Sequence, residues 1–113
     1  MPFDALPSEE TKHAEARHLL LSAADVIRER GWTSGGTQKD GRVCALMALA
    51  LAADAPVYSP TGAHLLAMNA LSDHLGVPRG CSGIFWWNDT LYSRTWRPER
   101  RVILALEGAA ASL

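Results

Sequence analysis

Cysteine is scarce in this sequence, and the two that are present are not paired by spacing. Cys44 and Cys81 are far apart, and there is no Cys-x-x-Cys motif of the kind that zinc sites and dithiol redox sites use. We therefore expect two free thiols rather than a disulfide scaffold. The four histidines are also irregularly spaced. The sequence predicts neither a metal site nor a cofactor.

Long apolar runs are missing as well. The run from Cys44 to Ala53 covers only ten residues, about half of the 20 or so that a transmembrane helix needs. The first ten residues lack the basic head and apolar core of a secretory signal. We expect a cytoplasmic protein with no membrane association.

Excess charge of either sign is absent too. The formal net charge is -1, with 11 basic and 12 acidic residues, so the chain has no strong overall field for a polyanion. One local exception is a group of arginines near the C-terminus, at positions 94, 97, 100 and 101. Weak DNA binding through this group is one hypothesis, although a solvated helix face is the simpler interpretation, and we expect nucleic acid not to be the partner.

The residues that are abundant favour helices. There are 18 Ala and 15 Leu but only two Phe, and Ala and Leu lose little conformational freedom in a helix. A chain of 113 residues is long enough for one hydrophobic core. We predict a mainly α, single-domain bundle of about four helices over residues 1–113, with an ordered core from about 8 to 110.

Apolar spacing and capping residues place the four helices. The first is predicted from a cap at Ser8 to about residue 30, and a loop follows at 31–41 with a turn signal at its end. The second spans 42–53, and the third begins at Ser59-Pro60 and ends before Gly76. The last begins between residues 95 and 98.

Residues 77–95 are predicted to be a long, aromatic-rich loop. This segment contains Phe85-Trp86-Trp87 and then the turn formers Asn88-Asp89. A short strand at 84–87 is the alternative, because aromatic residues fit strands well. In an extended chain Trp86 and Trp87 would point to opposite sides, so we expect one of them to be exposed.

Cys44 is the candidate nucleophile. It falls in the first turn of the predicted second helix, where free amides and the helix dipole favour a thiolate. A cysteine hydrolase or transferase would also need a base and an orienting group; the candidates are His64, His74, His13 and His18 with Asp89 or Asn88. We commit to no catalytic residue, because a small buried core thiol is the simpler interpretation.

Four tryptophans stand out in so short a chain, with arginines beside two of them. Trp and Arg are common anchors of protein contact surfaces. The predicted binding residues are Trp32, Trp86, Trp87, Asn88, Asp89, Arg94, Trp96 and Arg97. The alternatives are an aromatic lid over the core and, for Asn88 and Asp89, a structural latch that bonds open backbone amides.

Three short motifs, in this order and spacing, resemble an uncharacterised family. They are Arg-Gly-Trp-Thr-Ser-Gly-Gly at 30–36, Cys-Ala-Leu-Met-Ala-Leu at 44–49 and Trp-Asn-Asp at 87–89. The family is a small domain of unknown function from actinobacteria and their phages, and Met47 stands where it usually has Gly. The resemblance implies such a source and supplies no reaction.

These observations predict a small, non-enzymatic binding protein. Its partner would be a host protein or a second copy of the chain, and the protein would act as a phage accessory factor. A cysteine-dependent enzyme using Cys44, a histidine and Asp89 is the alternative, and DNA binding through the arginines is the third hypothesis.

Overall fold

The computed structural model describes residues 9–113, which contain five α-helices and one short hairpin. In chain order they are α1 (Glu9–Arg30), β1 (Gln38–Lys39), β2 (Arg42–Val43), α2 (Ala45–Ala53), α3 (Gly62–Leu75), α4 (Cys81–Asp89), a 3₁₀ turn (Leu91–Ser93) and α5 (Pro98–Ala111). The mainly α prediction is confirmed, whereas the count of about four helices is one too low. The predicted cap at Ser8 lies outside the described residues.

Helix α1 is the long element on which the others assemble. Its acidic first turn and basic last turn suit the helix dipole. It packs against α2, α3 and α5, and α4 packs against α2. The large buried side chains that fill the space between the helices are Leu20, Ile27, Leu46, Leu49, Met68, Leu71, Ile84 and Leu106.

The segment 31–43 is more ordered than the predicted loop. Asp40 and Gly41 both have positive φ and connect β1 to the antiparallel β2, with Lys39 opposite Arg42. Two such residues form the tight turn whose twist matches a hairpin. Val43 also exchanges backbone hydrogen bonds with Gly31 and Thr33, so the chain after α1 is held against β2.

The segment predicted as a loop or strand before the last helix is instead helix α4, followed by the 3₁₀ turn. Its buried residues are Ile84, Trp87, Asn88 and Leu91, which have the i, i+3, i+4, i+7 spacing of one helix face. Gly83 allows a close approach, because a Cβ there would lie 2.4 Å from the Pro78 carbonyl oxygen. Burial of this face therefore overrides the local preference of aromatic residues for strands.

Several predicted helix boundaries also shift. Helix α2 begins at Ala45 rather than residue 42, because Arg42 and Val43 pair in the hairpin. Helix α3 begins at Gly62 rather than at Ser59-Pro60, with Thr61 as its N-cap. The predicted end of α3 is confirmed, since Gly76 adopts the left-handed conformation that closes it.

None of the helices described in residues 9–113 is both long enough and apolar enough to cross a membrane.

Candidate functional site

The buried side chain of Asn88 is the centre of a hydrogen-bond network. Its Oδ1 accepts from the Trp32 indole Nε1–H at 2.8 Å and from the Ala45 backbone N–H at 3.0 Å. Its Nδ2 donates to the Thr33 carbonyl oxygen at 3.1 Å and to Asp89 Oδ1 at 3.2 Å. Two bonds accepted and two donated use the full capacity of an amide side chain.

This network joins three segments that are distant in the sequence. Asn88 is near the end of α4, Trp32 and Thr33 follow α1, and Ala45 is the first residue of α2. The Ala45 N–H is one of the amides that a helix start leaves without an intrahelical partner. Asn88 thus caps α2 from another helix, and only 1% of its surface is exposed.

Asp89 extends the network to the glycine-rich part of the loop. Its Oδ1 accepts from the Gly35 backbone N–H at 3.0 Å. Asn88 and Asp89 are the last two residues of α4 rather than a loop turn, which corrects the sequence interpretation. We call Trp32, Asn88 and Asp89, with the backbone groups that they bond, the latch.

Cys44 lies beside the latch and is inaccessible. It is the N-cap of α2 rather than a first-turn residue; its Sγ accepts from the Met47 N–H at 3.4 Å, and its exposure is 0%. Burial raises the pKa of the thiol and is the largest effect. The hydrogen bond from the Met47 N–H lowers this pKa, and the Asp89 carboxylate raises it. The environment therefore favours the neutral thiol rather than a thiolate.

The candidate base His64 is on α3 and makes no hydrogen bond to that thiol. It is 4% exposed, and neither ring nitrogen has a hydrogen-bond partner in the described structure. Burial lowers the pKa of this histidine, so the neutral ring is favoured. His64 borders a cleft of about 590 Å³ between α1 and the start of α3 that His18 and Glu15 also line.

His74 is exposed at the other end of α3 and packs against α5. A Cβ on Gly108 would lie 2.5 Å from the His74 Nε2, so the glycine makes room for the ring. His74 lines a cleft of about 280 Å³ together with Trp87, Arg101 and Leu104. Neither it nor His13 makes a hydrogen bond with Cys44 within residues 9–113. Within residues 9–113, the Cys44 thiol therefore forms no hydrogen bond with any of the candidate bases.

The remaining predicted binding residues form a second, exposed group. Trp96 is 83% exposed and Trp86 is 59% exposed. The Arg94 guanidinium lies 4.9 Å from the Trp86 ring centroid, and that of Arg97 lies 4.4 Å from the Trp96 centroid. These are cation–π distances. We call these four residues the aromatic–arginine surface.

The predicted binding set thus divides between two places. Trp32, Asn88 and Asp89 are in the latch, and Trp87 is buried on the same helix. Sequence reasoning expected Asn88 and Asp89 to bond open backbone amides, but it did not identify the Ala45 and Gly35 N–H groups or the Thr33 carbonyl oxygen as the partners. Main-chain donors and acceptors leave no mark in residue identity. Sequence reasoning did expect one of Trp86 and Trp87 to be exposed, and Trp86 is. The two side chains diverge because they follow one another in a helix, and not because the chain is extended.

Metal binding has no obvious location in the described part of the chain. Within residues 9–113, no three or more His, Cys, Asp or Glu side chains are grouped so that they could hold an ion. The three blocks of sequence that carried the family resemblance, in contrast, do meet in space at the latch.

Comparison with known proteins identifies a family and no relative of known activity. No curated protein and no solved structure matches the chain. One family model matches residues 11–112, nearly the whole chain. This confirms the expected resemblance to an uncharacterised domain. The chain belongs to DUF6197, a family of unknown function.

Proposed function

We propose that this protein is a non-enzymatic binding module that contacts another protein, or a second copy of itself, through the aromatic–arginine surface. The setting that we propose is the cytoplasm of an actinobacterial cell or of a phage-infected host. The sequence resemblance supports that setting. The latch has a structural part in this proposal, since it holds α4, the helix that carries the exposed Trp86, in place.

The observation that carries the proposal is the exposure of Trp86 and Trp96. An indole ring can bury 150–250 Å² on binding, and leaving two of them in water forgoes that stabilisation. Each ring is accompanied by a guanidinium group, and Trp and Arg are the residue types enriched at the energetic centres of protein interfaces. The surface therefore has the composition of a contact site.

The cysteine-enzyme alternative is not proposed. Cys44 is fully buried, its thiol is used to cap α2, and its pKa is raised by burial. A nucleophile needs both access and a substantial thiolate fraction. The described structure gives Cys44 neither.

The test begins with the purified full-length protein. Its self-association is measured by analytical ultracentrifugation over a range of concentrations, and proteins captured from a lysate of the source cell are identified. An identified partner is then purified, and its Kd is measured with the wild-type chain and with a Trp86→Ala/Trp96→Ala variant. Loss of an interface tryptophan costs about 2 kcal/mol or more, so we expect Kd to rise by about 30-fold or more.

The matched control is Leu21→Ala, which shortens an exposed apolar side chain on α1. Circular dichroism checks that both variants remain folded. The proposal is wrong if the double variant loses no more affinity than the control. It is also wrong if the wild-type chain neither self-associates nor binds any purified candidate.

A further inference from the structure

A cleft at the start of α5 is lined by four arginines. It has a volume of about 240 Å³ and no acidic residue in its lining; its walls are Arg94, Thr95, Trp96, Arg97, Arg100, Arg101 and Leu104. The cleft of about 280 Å³ that contains His74 shares Arg101 and Leu104 with it. The two therefore adjoin along one side of α5.

None of the four arginines forms an ion pair within residues 9–113. Ion pairs there join Arg28 to Asp25 and to Glu107, and Arg79 to Asp73. Arg94 instead donates to the Thr90 hydroxyl and lies over Trp86, and Arg97 lies over Trp96. Glu99 and Glu107 face a separate neighbouring cleft, which Arg100 also borders.

This concentration of positive charge opposes the helix on which it lies. Arg97 is the N-cap of α5, and Arg100 and Arg101 follow within its first turn and a half. The N-terminal end of a helix carries partial positive charge and favours anions. Three guanidinium groups at that end are accompanied by one carboxylate, that of Glu99, so an excess of positive charge remains. A bound anion would offset this excess.

The chemistry of the cleft selects among anions. A guanidinium group binds a carboxylate through two parallel hydrogen bonds, while Trp96 and Leu104 offer an apolar wall. The basic patch is short, and the whole chain has a net charge of -1. Nucleic acid binding generally uses a more extended basic surface along the phosphate backbone. The charge distribution favours a short acidic peptide segment.

We infer that the arginine-lined cleft binds an acidic segment of a protein partner, with carboxylates paired to Arg97, Arg100 and Arg101 and an apolar side chain against Trp96 and Leu104. This inference rests on the proposed binding function and names the chemistry of the partner. The part that Arg94 plays is to hold the Trp86 side of the same surface.

The experiment measures the fluorescence anisotropy of a labelled eight-residue peptide made of Asp and Glu with one central Phe. The full-length protein should bind it, and Arg100→Gln/Arg101→Gln should raise Kd at least about tenfold, the effect of losing more than one charge-assisted contact. The control, Arg30→Gln/Arg42→Gln, removes two exposed arginines outside the cleft and should leave Kd within about twofold. Thermal unfolding checks both variants.

Three comparisons make the result decisive. The inference is overturned if a peptide with Gln and Asn in place of Glu and Asp binds equally well, or if the control variant weakens binding as much as the cleft variant. It is also overturned if single-stranded DNA of eight nucleotides binds more tightly than the peptide, with a steep salt dependence. If the acidic peptide fails to bind while the Trp86→Ala/Trp96→Ala variant still binds a purified partner more weakly than the wild type does, the inference fails and the proposed function stands.

Discussion

Replacing Asn88 by Asp tests whether the latch holds the fold together. The two side chains are nearly the same size, so the change alters hydrogen bonding without opening a cavity. The carboxylate can still accept from Trp32 and Ala45, but the two bonds that Nδ2 donates to Thr33 and Asp89 are lost. At neutral pH the new carboxylate would also face those two oxygen atoms.

The expected cost follows from these contacts. Each lost hydrogen bond contributes about 1 kcal/mol, and burying a carboxylate that has no ion-pair partner costs several kcal/mol more. We expect Asn88→Asp to lower the free energy of unfolding by about 3–5 kcal/mol at pH 7, a large part of the 5–15 kcal/mol that holds an ordinary domain together. At about 4 °C per kcal/mol, Tm should fall by about 12 °C or more.

The pH dependence provides a second and more specific test. Burial and the facing oxygens should raise the folded-state pKa of the new carboxyl above its unfolded value of about 3.9. The folded variant then takes up a proton at a pH where the unfolded chain does not, so its stability relative to wild type should recover as the pH falls from 7 to 5. The protonated carboxyl can again donate to Thr33.

The assay is urea unfolding followed by circular dichroism at both pH values. Asn69→Asp is the matched control, because Asn69 on α3 makes no side-chain hydrogen bond in the described structure, and it should cost less than about 1 kcal/mol. The reasoning is refuted if the two variants are equally destabilised. It is also refuted if the gap between Asn88→Asp and wild type does not narrow at pH 5.

Three further predictions concern packing, thiol access and pH. Gly83→Ala should lower the free energy of unfolding by about 1–3 kcal/mol despite the better helix propensity of Ala, because its Cβ would lie 2.4 Å from a backbone carbonyl oxygen. Gly108→Ala should lower it less, because the new Cβ meets only the end of an exposed side chain. Equal losses of unfolding free energy in urea would contradict this. Cys44 should be alkylated far more slowly than the half-buried Cys81, as single-thiol variants followed by mass spectrometry would reveal; similar rates would mean that Cys44 is accessible. His64 has a lowered pKa in the folded state, so its contribution to stability should be complete above about pH 7 and decline as the pH falls below the unfolded value of about 6.5. In the His64→Leu variant, the free energy of unfolding should therefore fall less steeply between pH 8 and pH 5 than in the wild type. An unchanged pH dependence would refute the assignment.

The sequence by itself determined the helical character and the C-terminal ends of α1, α2 and α3. The acidic start and basic end of α1, and Gly76 after α3, act within one or two turns of the chain, and capping interactions of this range can be inferred from residue order. The Asp40-Gly41 turn was also visible as a turn, although the hairpin that it closes was not foreseen.

Helix α4 marks the limit of that approach. Its aromatic and glycine residues favour strand or loop locally, yet the spacing of Ile84, Trp87, Asn88 and Leu91 was a helical signal in the sequence. Burial against α2 decided the outcome, because the hydrophobic stabilisation of one packed face exceeds the small propensity differences among residues.

Only the tertiary structure decided which predicted site residues belong together. Asn88 bonds groups 43 to 56 positions away, two of them on the backbone, and main-chain amides and carbonyls look the same at every position of a sequence. The burial of Cys44 and the exposure of Trp96 likewise depend on what packs above them. The order of neighbouring residues along the chain determined the helices. The latch, in contrast, depends on distant backbone groups that meet around the Asn88 side chain only in the folded structure.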